Sequence, residues 1–64
     1  MRIDRVKLVT ELTRQDMTQT QLAKRAGVSR ATVGYIKGGK SCCDEVGHKI
    51  ANALKVPIES LLEK

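Results

Sequence analysis

The chain has 64 residues, twelve Lys or Arg against seven Asp or Glu for a formal net charge of +5, and neither Phe nor Trp. This length predicts one domain, 1–64, with an aliphatic core and no second sensor domain, and the basic balance suits a polyanionic partner without proving one. No signal-peptide pattern and no apolar run of transmembrane length is present, so we expect a cytoplasmic protein with no membrane partner.

The first predicted helix covers Ile3 to Arg14. Its apolar residues recur at three- and four-residue spacings and are expected to face inward, while the charged residues between them face outward. The expected inward set is Val6, Leu8, Val9 and Leu12. This helix would pack behind the elements that follow it.

Two helix starts then follow in close succession. Thr18, with a Gln three residues later, forms a capping box and predicts a helix from Thr18 to Ala26. Ser29 is a second N-cap and predicts a helix from Ser29 to Lys37. Gly27 between them can take a positive φ, which a sharp turn after a helix requires. Two short helices joined in this way predict a helix-turn-helix unit, whose second helix can lie in the major groove of DNA.

Periodicity assigns the faces of this unit. The small and aliphatic residues of both helices are expected to face inward, and they are Leu22, Ala23, Ala26, Val33 and Ile36. The outward side of the second helix then carries Arg30, Ala31, Gly34 and Tyr35, with Lys37 at its end. These side chains suit a surface that reads DNA bases: Arg30 offers a guanidinium, Ala31 a methyl group and Tyr35 a phenol, while Gly34 leaves a gap between them.

The rest of the chain also reads as helical. The second helix of this unit, Ser29 to Lys37, is called the reading helix below. Gly38 and Gly39 are expected to end it by taking positive φ values. A fourth helix is predicted from Asp44 to Leu54, because its acidic first turn suits the positive end of a helix dipole; the expected inward residues are Val46, Ile50, Ala53 and Leu54. A last helix is predicted from Pro57 to Glu63, with Pro57 at its first position. The predicted fold is all-α, a compact five-helix bundle.

With these residues laid out, the chain resembles the Cro/repressor-type (XRE) helix-turn-helix family, which has a lambda-repressor-like DNA-binding domain. The resemblance is carried by the pattern TQxxLAxxxGVSxxTVxxIxxGK from Thr18 to Lys40, followed by KIANAL and VPIESLL, and it spans almost the whole chain. It implies a five-helix domain that binds an operator in double-stranded DNA as a two-fold dimer.

The resemblance also implies roles for single residues. Base contacts would come from Ser29, Arg30, Ala31 and Tyr35, and phosphate contacts from Gln19 and Lys40; Thr18 and Lys37 are further candidates for phosphate contacts. Two departures matter. Gly34 lies inside the reading helix, where glycine costs about 1 kcal/mol against alanine, and Ala31 has no hydrogen-bonding group, so base readout should depend on Arg30 and Tyr35.

Each of these roles has a simpler alternative. Arg30 could bind guanine O6 and N7 in a bidentate manner, or it could contact a phosphate or only solvent. Tyr35 could pack on a thymine methyl group or reach a phosphate, or it could be a rim residue that half covers the core. Gln19 and the two lysines could be ordinary solvated side chains.

The adjacent Cys42 and Cys43 cannot staple a loop. The simpler interpretation places Cys43 at the cap of the fourth helix and packs Cys42 as a small apolar residue; a redox-sensitive thiolate at the helix start is the alternative. A metal site that adds His48 lacks a fourth ligand. No carboxylate pair, nucleophile–base pair or phosphate-binding loop is present, so we expect neither an enzyme, a cofactor nor a small-molecule substrate.

We therefore expect a sequence-specific transcriptional regulator, bacterial or phage-encoded, that represses by binding a palindromic operator as a homodimer. The dimer surface is expected around Val56, Ile58 and Leu62, or in the loop from Gly38 to Cys43. The alternative is a DNA-binding antitoxin or controller subunit whose main partner is a protein.

Overall fold

The computed structural model describes residues 1–63, which form four α-helices and one 3₁₀ turn. The helices are α1 (Arg5–Arg14), α2 (Gln19–Ala26), α3 (Arg30–Lys37) and α4 (Asp44–Leu54), and the 3₁₀ turn is Ile58–Ser60. A single antiparallel bridge joins Ile3 to Leu62. The all-α class is as predicted. None of the helices in this range is long and apolar enough to cross a bilayer.

The core is aliphatic and receives side chains from every helix and from both ends of the chain. The large side chains that are fully buried are Ile3, Leu8, Leu22, Val33, Ile36, Ile50, Leu54 and Leu61. Within residues 1–63 no polar or charged side chain is buried. Because α1 and α2 both pack against α3, α3 is supported from behind while its opposite side stays open.

The starts of α2 and α3 confirm the capping chemistry. The Thr18 hydroxyl accepts the backbone N–H of Gln21 at 3.1 Å, and the Gln21 side-chain oxygen accepts the backbone N–H of Thr18 at 2.9 Å. At α3 the Ser29 hydroxyl accepts the N–H of Thr32 at 3.1 Å. Side-chain caps therefore bind amides that the first turn of a helix leaves without an internal partner.

All four helices end in a Schellman motif. In this motif a residue just past the helix takes a left-handed φ, and the next residue donates its N–H to the carbonyl five positions back. The left-handed residues are Asp16, Gly27, Gly39 and Lys55, with φ of 53°, 72°, 98° and 58°. The donor and acceptor pairs are Met17 and Leu12, Val28 and Ala23, Lys40 and Tyr35, and Val56 and Ala51, at 2.9, 3.1, 3.0 and 3.1 Å.

The predicted fifth helix, Pro57 to Glu63, is wrong, because only the 3₁₀ turn forms there. Beyond the turn, the Leu61 carbonyl accepts the N–H of Asp4 at 2.7 Å, and the N–H of Glu63 donates to the Arg2 carbonyl at 3.1 Å. Backbone groups that a continuing helix would use are thus bound to the other end of the chain. The bundle has four helices and a short extended pairing of its two ends.

The same pairing shortens the first helix. Ile3 was expected to begin it, but Ile3 is extended, fully buried and bridged to Leu62. Helix α1 begins at Arg5, where the Asp4 carboxylate accepts the backbone N–H groups of two residues in the first turn.

Two valines of α1 that were expected to face inward are exposed. Val6 is 68% exposed and Val9 is 38% exposed, whereas Leu8 and Leu12 are buried. A ten-residue helix turns a narrow stripe to the core, and the two leucines, four residues apart, fill that stripe. The valines therefore lie on or near the surface of α1.

Helix α4 has the predicted bounds and the predicted acidic first turn. Ile50 and Leu54 are buried as expected, but Val46 and Ala53 are only half-buried. Gly47 lies on the buried side instead, and a Cβ there would overlap the thioether sulfur of Met1.

Candidate nucleic-acid interface

The open side of α3 presents the residues that were expected to read DNA. Val33 and Ile36 anchor the helix in the core, with 0% and 1% of their surface exposed. Arg30, Ala31 and Tyr35 lie on the exposed side, and Tyr35 is 58% exposed. More than half of the Tyr35 surface is therefore accessible to a ligand.

The first of the four predicted base-contact residues is placed differently from the others. The Ser29 hydroxyl caps α3 and lies 2.8 Å from the hydroxyl of Thr32. Its hydrogen-bonding capacity is thus largely used at the helix start.

Arg30 has no ion pair with any residue in the range 1–63, so its guanidinium is available to a ligand.

Three of the four predicted phosphate-contact residues line one open groove. Thr18, Gln19 and Lys37 border this groove of about 380 Å³, which runs between the end of α1, the start of α2 and the end of α3. Buried Leu12 and Met17 form part of its floor. The groove thus combines a lysine, a hydroxyl and a primary amide at a helix N-terminus, where backbone N–H groups favour anions, with Asp16, whose negative charge opposes them.

The fourth residue, Lys40, lies elsewhere. Its ammonium stands over the ring of Tyr35, 4.8 Å from the ring centroid. Of the two glycines expected to have positive φ, Gly39 does, at 98°, whereas Gly38 remains in the helical region at −78°. No sequence pattern predicted the contact between Lys40 and Tyr35.

Basic and acidic residues are separated along the chain. The segment from Met17 to Cys43, which contains the whole helix-turn-helix, carries five Lys or Arg and no Asp or Glu. All seven acidic residues lie before or after it. The full net charge of +5 is therefore the charge of this segment alone, and it creates a field that attracts polyanions.

A second groove adds one basic residue to the set. Arg5, at the start of α1, lines a groove of about 400 Å³ together with Val6, Val9, Thr10 and Lys37. Its closeness to Lys37 depends on how α1 packs against α3, so no local sequence signal could have placed it there.

The cysteines follow the simpler interpretation. Cys43 is the exposed residue before α4, and Cys42 is half-buried against the core. Burial raises the pKa of the Cys42 thiol, as do nearby Cys43 and Asp44, although the N-terminal ammonium opposes the shift. A raised pKa disfavours the thiolate. Among residues 1–63, no group of three or more His, Cys, Asp or Glu side chains is placed to hold a metal ion.

These features define a helix-turn-helix domain with an exposed second helix in a basic, acid-free segment. The family model for the Cro/C1-type HTH DNA-binding domain matches residues 7–63. The chain belongs to this family and is a DNA-binding domain of the Cro/C1 type. No curated protein matches the chain.

Solved structures share the fold. The chain is similar to a segment of a hydroxyethylphosphonate dioxygenase mutant, with 26% identity and a TM-score of 0.88. It is also similar to segments of native PhpD with cadmium atoms and of PhpD with cadmium and hydroxyethylphosphonate, both at 25% identity, with TM-scores of 0.86 and 0.85. In all three cases the match covers 100% of this chain but 14% of the other chain.

Proposed function

We propose that the protein is a sequence-specific transcriptional regulator that inserts α3 into the major groove of double-stranded DNA. Arg30, Ala31 and Tyr35 are the base-contact residues, and Ser29 mainly caps the helix. The observation that carries this proposal is that α3 exposes these side chains within a segment that holds five basic residues and no acidic one. An exposed arginine in the first turn of such a helix suits bidentate binding to guanine.

Phosphate contacts position the helix on the duplex. Thr18, Gln19 and Lys37 border one groove beside α3. A phosphate there would meet an ammonium and the N-terminus of α2, which must outweigh the negative charge of Asp16 on the same groove. Such contacts set orientation and add affinity without reading sequence. Lys40 adds a further positive charge beside Tyr35.

We propose further that the protein represses transcription by occupying a palindromic operator as a dimer. One copy offers few base contacts, so two half-sites about 34 Å apart would give the needed affinity and specificity. A single copy measures 25 × 22 × 19 Å between its Cα extremes, so two copies at that spacing can touch only through a small edge. Val56, Ile58 and Leu62 offer limited apolar surface for it, because all three are half-buried against the core.

Binding rather than catalysis is the proposed activity, and no cofactor is proposed. The structures of the dioxygenase and of PhpD match this chain over a small part of their length. What those proteins act on is therefore no guide to this domain's ligand. Arg30, Tyr35 and the neighbouring lysines are side chains suited to hydrogen bonding and ion pairing with nucleic acid.

Selection of bound sites from random duplexes, read by sequencing, tests the proposal. A regulator of this kind should enrich a short motif, and a dimer should enrich two inverted copies of it at a fixed spacing. Arg30→Ala should lose preference at one position of each half. If no motif is enriched at physiological salt while the folded protein binds all duplexes equally, the sequence-specific function is wrong.

A protein-binding role is the second candidate, and the exposed valines of α1 favour it. Val6 and Val9 are apolar and exposed, and they lie beside Arg5 and Lys37 in one groove. An antitoxin or controller subunit would use such a surface for its main partner. A mobility-shift assay on the DNA upstream of the chain's own gene, with and without the product of the neighbouring gene, separates the two candidates. Tight binding to the protein alone would favour the second.

A further inference from the structure

The Schellman motif that ends α3 also determines where Lys40 lies. This motif brings the residue that donates the long backbone hydrogen bond next to the residue that accepts it, and an apolar contact between the two side chains is common. At α3 the two residues are Lys40 and Tyr35, whose backbone groups are 3.0 Å apart. Because Gly39 takes a φ of 98°, the chain reverses and places the Lys40 ammonium over the Tyr35 ring.

The other three helix ends use the same motif with apolar side chains. Their pairs are Leu12 with Met17, Ala23 with Val28, and Ala51 with Val56, in which every member is buried or half-buried. Of the four pairs in residues 1–63, only that of Tyr35 and Lys40 has both members exposed. This pair therefore adds nothing to the core, although its backbone geometry is the same.

A cation over an aromatic face is attracted by the negative charge density of the ring. The ammonium of Lys40 at 4.8 Å is within the range of this attraction. It covers one face of the Tyr35 ring and so restricts the side-chain torsions of Tyr35. The contact thereby favours one direction of the other face and of the phenol hydroxyl on the exposed side of α3.

We infer that Lys40 is a positioning residue for base readout: it holds the Tyr35 ring in the orientation that contacts the base edge. This inference rests on the proposed function, in which Tyr35 touches a base. It differs from a simple phosphate role, because a lysine that only neutralises a phosphate changes the affinity for all sequences equally.

The test compares the base preferences of variants at Lys40 with those of a variant that removes a different positive charge. In Lys40→Gln we expect the preference at the position read by Tyr35 to fall about two- to fivefold, the size of an exposed cation–π contact. Lys40→Arg should restore it, since arginine keeps the charge and stacks on rings. Lys37→Gln is the matched control: it should weaken binding to all sites without changing their relative order.

A second arm asks whether the effect of Lys40 depends on Tyr35. In a Tyr35→Leu background, Lys40→Gln should no longer alter base preference. In the free parent protein, nuclear magnetic resonance should show the ε-methylene protons of Lys40 shifted upfield by the ring, and Tyr35→Leu should abolish that shift.

The outcomes separate this inference from the proposed function. If the parent enriches a motif but Lys40→Gln keeps the parent's relative preferences, Lys40 acts only as a charge and the positioning role is overturned. The same conclusion follows if the effects of Lys40→Gln and Tyr35→Leu on preference are simply additive. If the parent enriches no motif, the proposed function itself fails, and the positioning role falls with it.

Discussion

Arg30 carries the strongest expectation of any single residue in the interface. Its guanidinium is exposed in the first turn of α3 and has no ion pair within residues 1–63. We predict that Arg30→Ala removes about 1–3 kcal/mol of discrimination at one base-pair position. Arg25→Ala is the matched control, because Arg25 is exposed on α2 and should affect all sequences alike. Identical selection profiles for the parent and Arg30→Ala would contradict base reading by Arg30.

Gly34 is the second residue of interest on that face. It lies inside α3, and a Cβ added there has no heavy atom within 4 Å. We predict that Gly34→Ala raises the free energy of unfolding by about 1 kcal/mol through helix propensity, or roughly 4–8 °C in Tm for a domain of this size. If the DNA backbone or a base approaches α3 closely at this point, the same variant should bind the operator more weakly.

Gly39→Ala is the control for that experiment. Gly39 also has open space around it, but its φ of 98° disfavours any side chain. The Gly39→Ala variant should therefore have a lower Tm than the parent. If Gly34→Ala also lowered Tm, the backbone conformation at position 34 would require glycine, and the prediction would be contradicted.

The two cysteines should differ in reactivity because they differ in burial. Cys42 is half-buried with a pKa raised above its ordinary value of 9.0, whereas Cys43 is exposed. We predict that iodoacetamide at pH 8 modifies the single thiol of Cys42→Ser faster than that of Cys43→Ser. Equal rates for the two variants would contradict the described packing of Cys42.

The same shift has a consequence for stability. The folded protein holds the Cys42 proton more tightly than the unfolded chain does, so the stability from this group is present below its unfolded pKa. It is lost as the pH rises through the higher folded pKa.

At the scale of secondary-structure elements, the ends of the helices offer a direct test. Helix α4 ends with Lys55 in the left-handed region, at a φ of 58°. That conformation costs a residue with a Cβ roughly 1 kcal/mol, and glycine avoids the cost. We predict that Lys55→Gly stabilises the protein by about this amount, measured by urea denaturation. The converse change at α2, Gly27→Ala, should destabilise it, and a loss of stability in Lys55→Gly would show that the lysine has another role.

The predicted elements were right where the signals were local. The bounds of α2 and α3 followed from a capping box, an N-cap serine and a left-handed Gly27, all of which act within a few residues of one another. The exposed face of α3 followed from helical periodicity. These signals were enough to predict the helix-turn-helix and most of the candidate interface.

The errors arose where distant segments meet. The fifth helix failed because Leu61 and Glu63 bond to the beginning of the chain, and Ile3 was misplaced for the same reason. No periodicity or propensity reports such contacts.

At the scale of the whole molecule, the placement of charge predicts the salt dependence of binding. Each phosphate contact that a cation makes adds about 0.9 to the slope of log K against log salt concentration. We predict that Lys37→Gln lowers the slope by about that amount, because Lys37 lines the groove beside α3. Lys49→Gln is the control: Lys49 lies on α4 and pairs with Glu45 at 3.3 Å. A slope that changes in both variants or in neither would remove Lys37 from the phosphate contacts.

In the proposed complex, the open side of α3 meets the bases. The most direct measurement is a titration of the isotope-labelled protein with its selected duplex, followed by nuclear magnetic resonance. If α3 lies in the major groove, the largest chemical-shift changes fall on residues 29–35, with further changes at Lys37 and at the start of α2. Changes confined to the exposed face of α1, with residues 29–35 unaltered, would contradict this placement of α3.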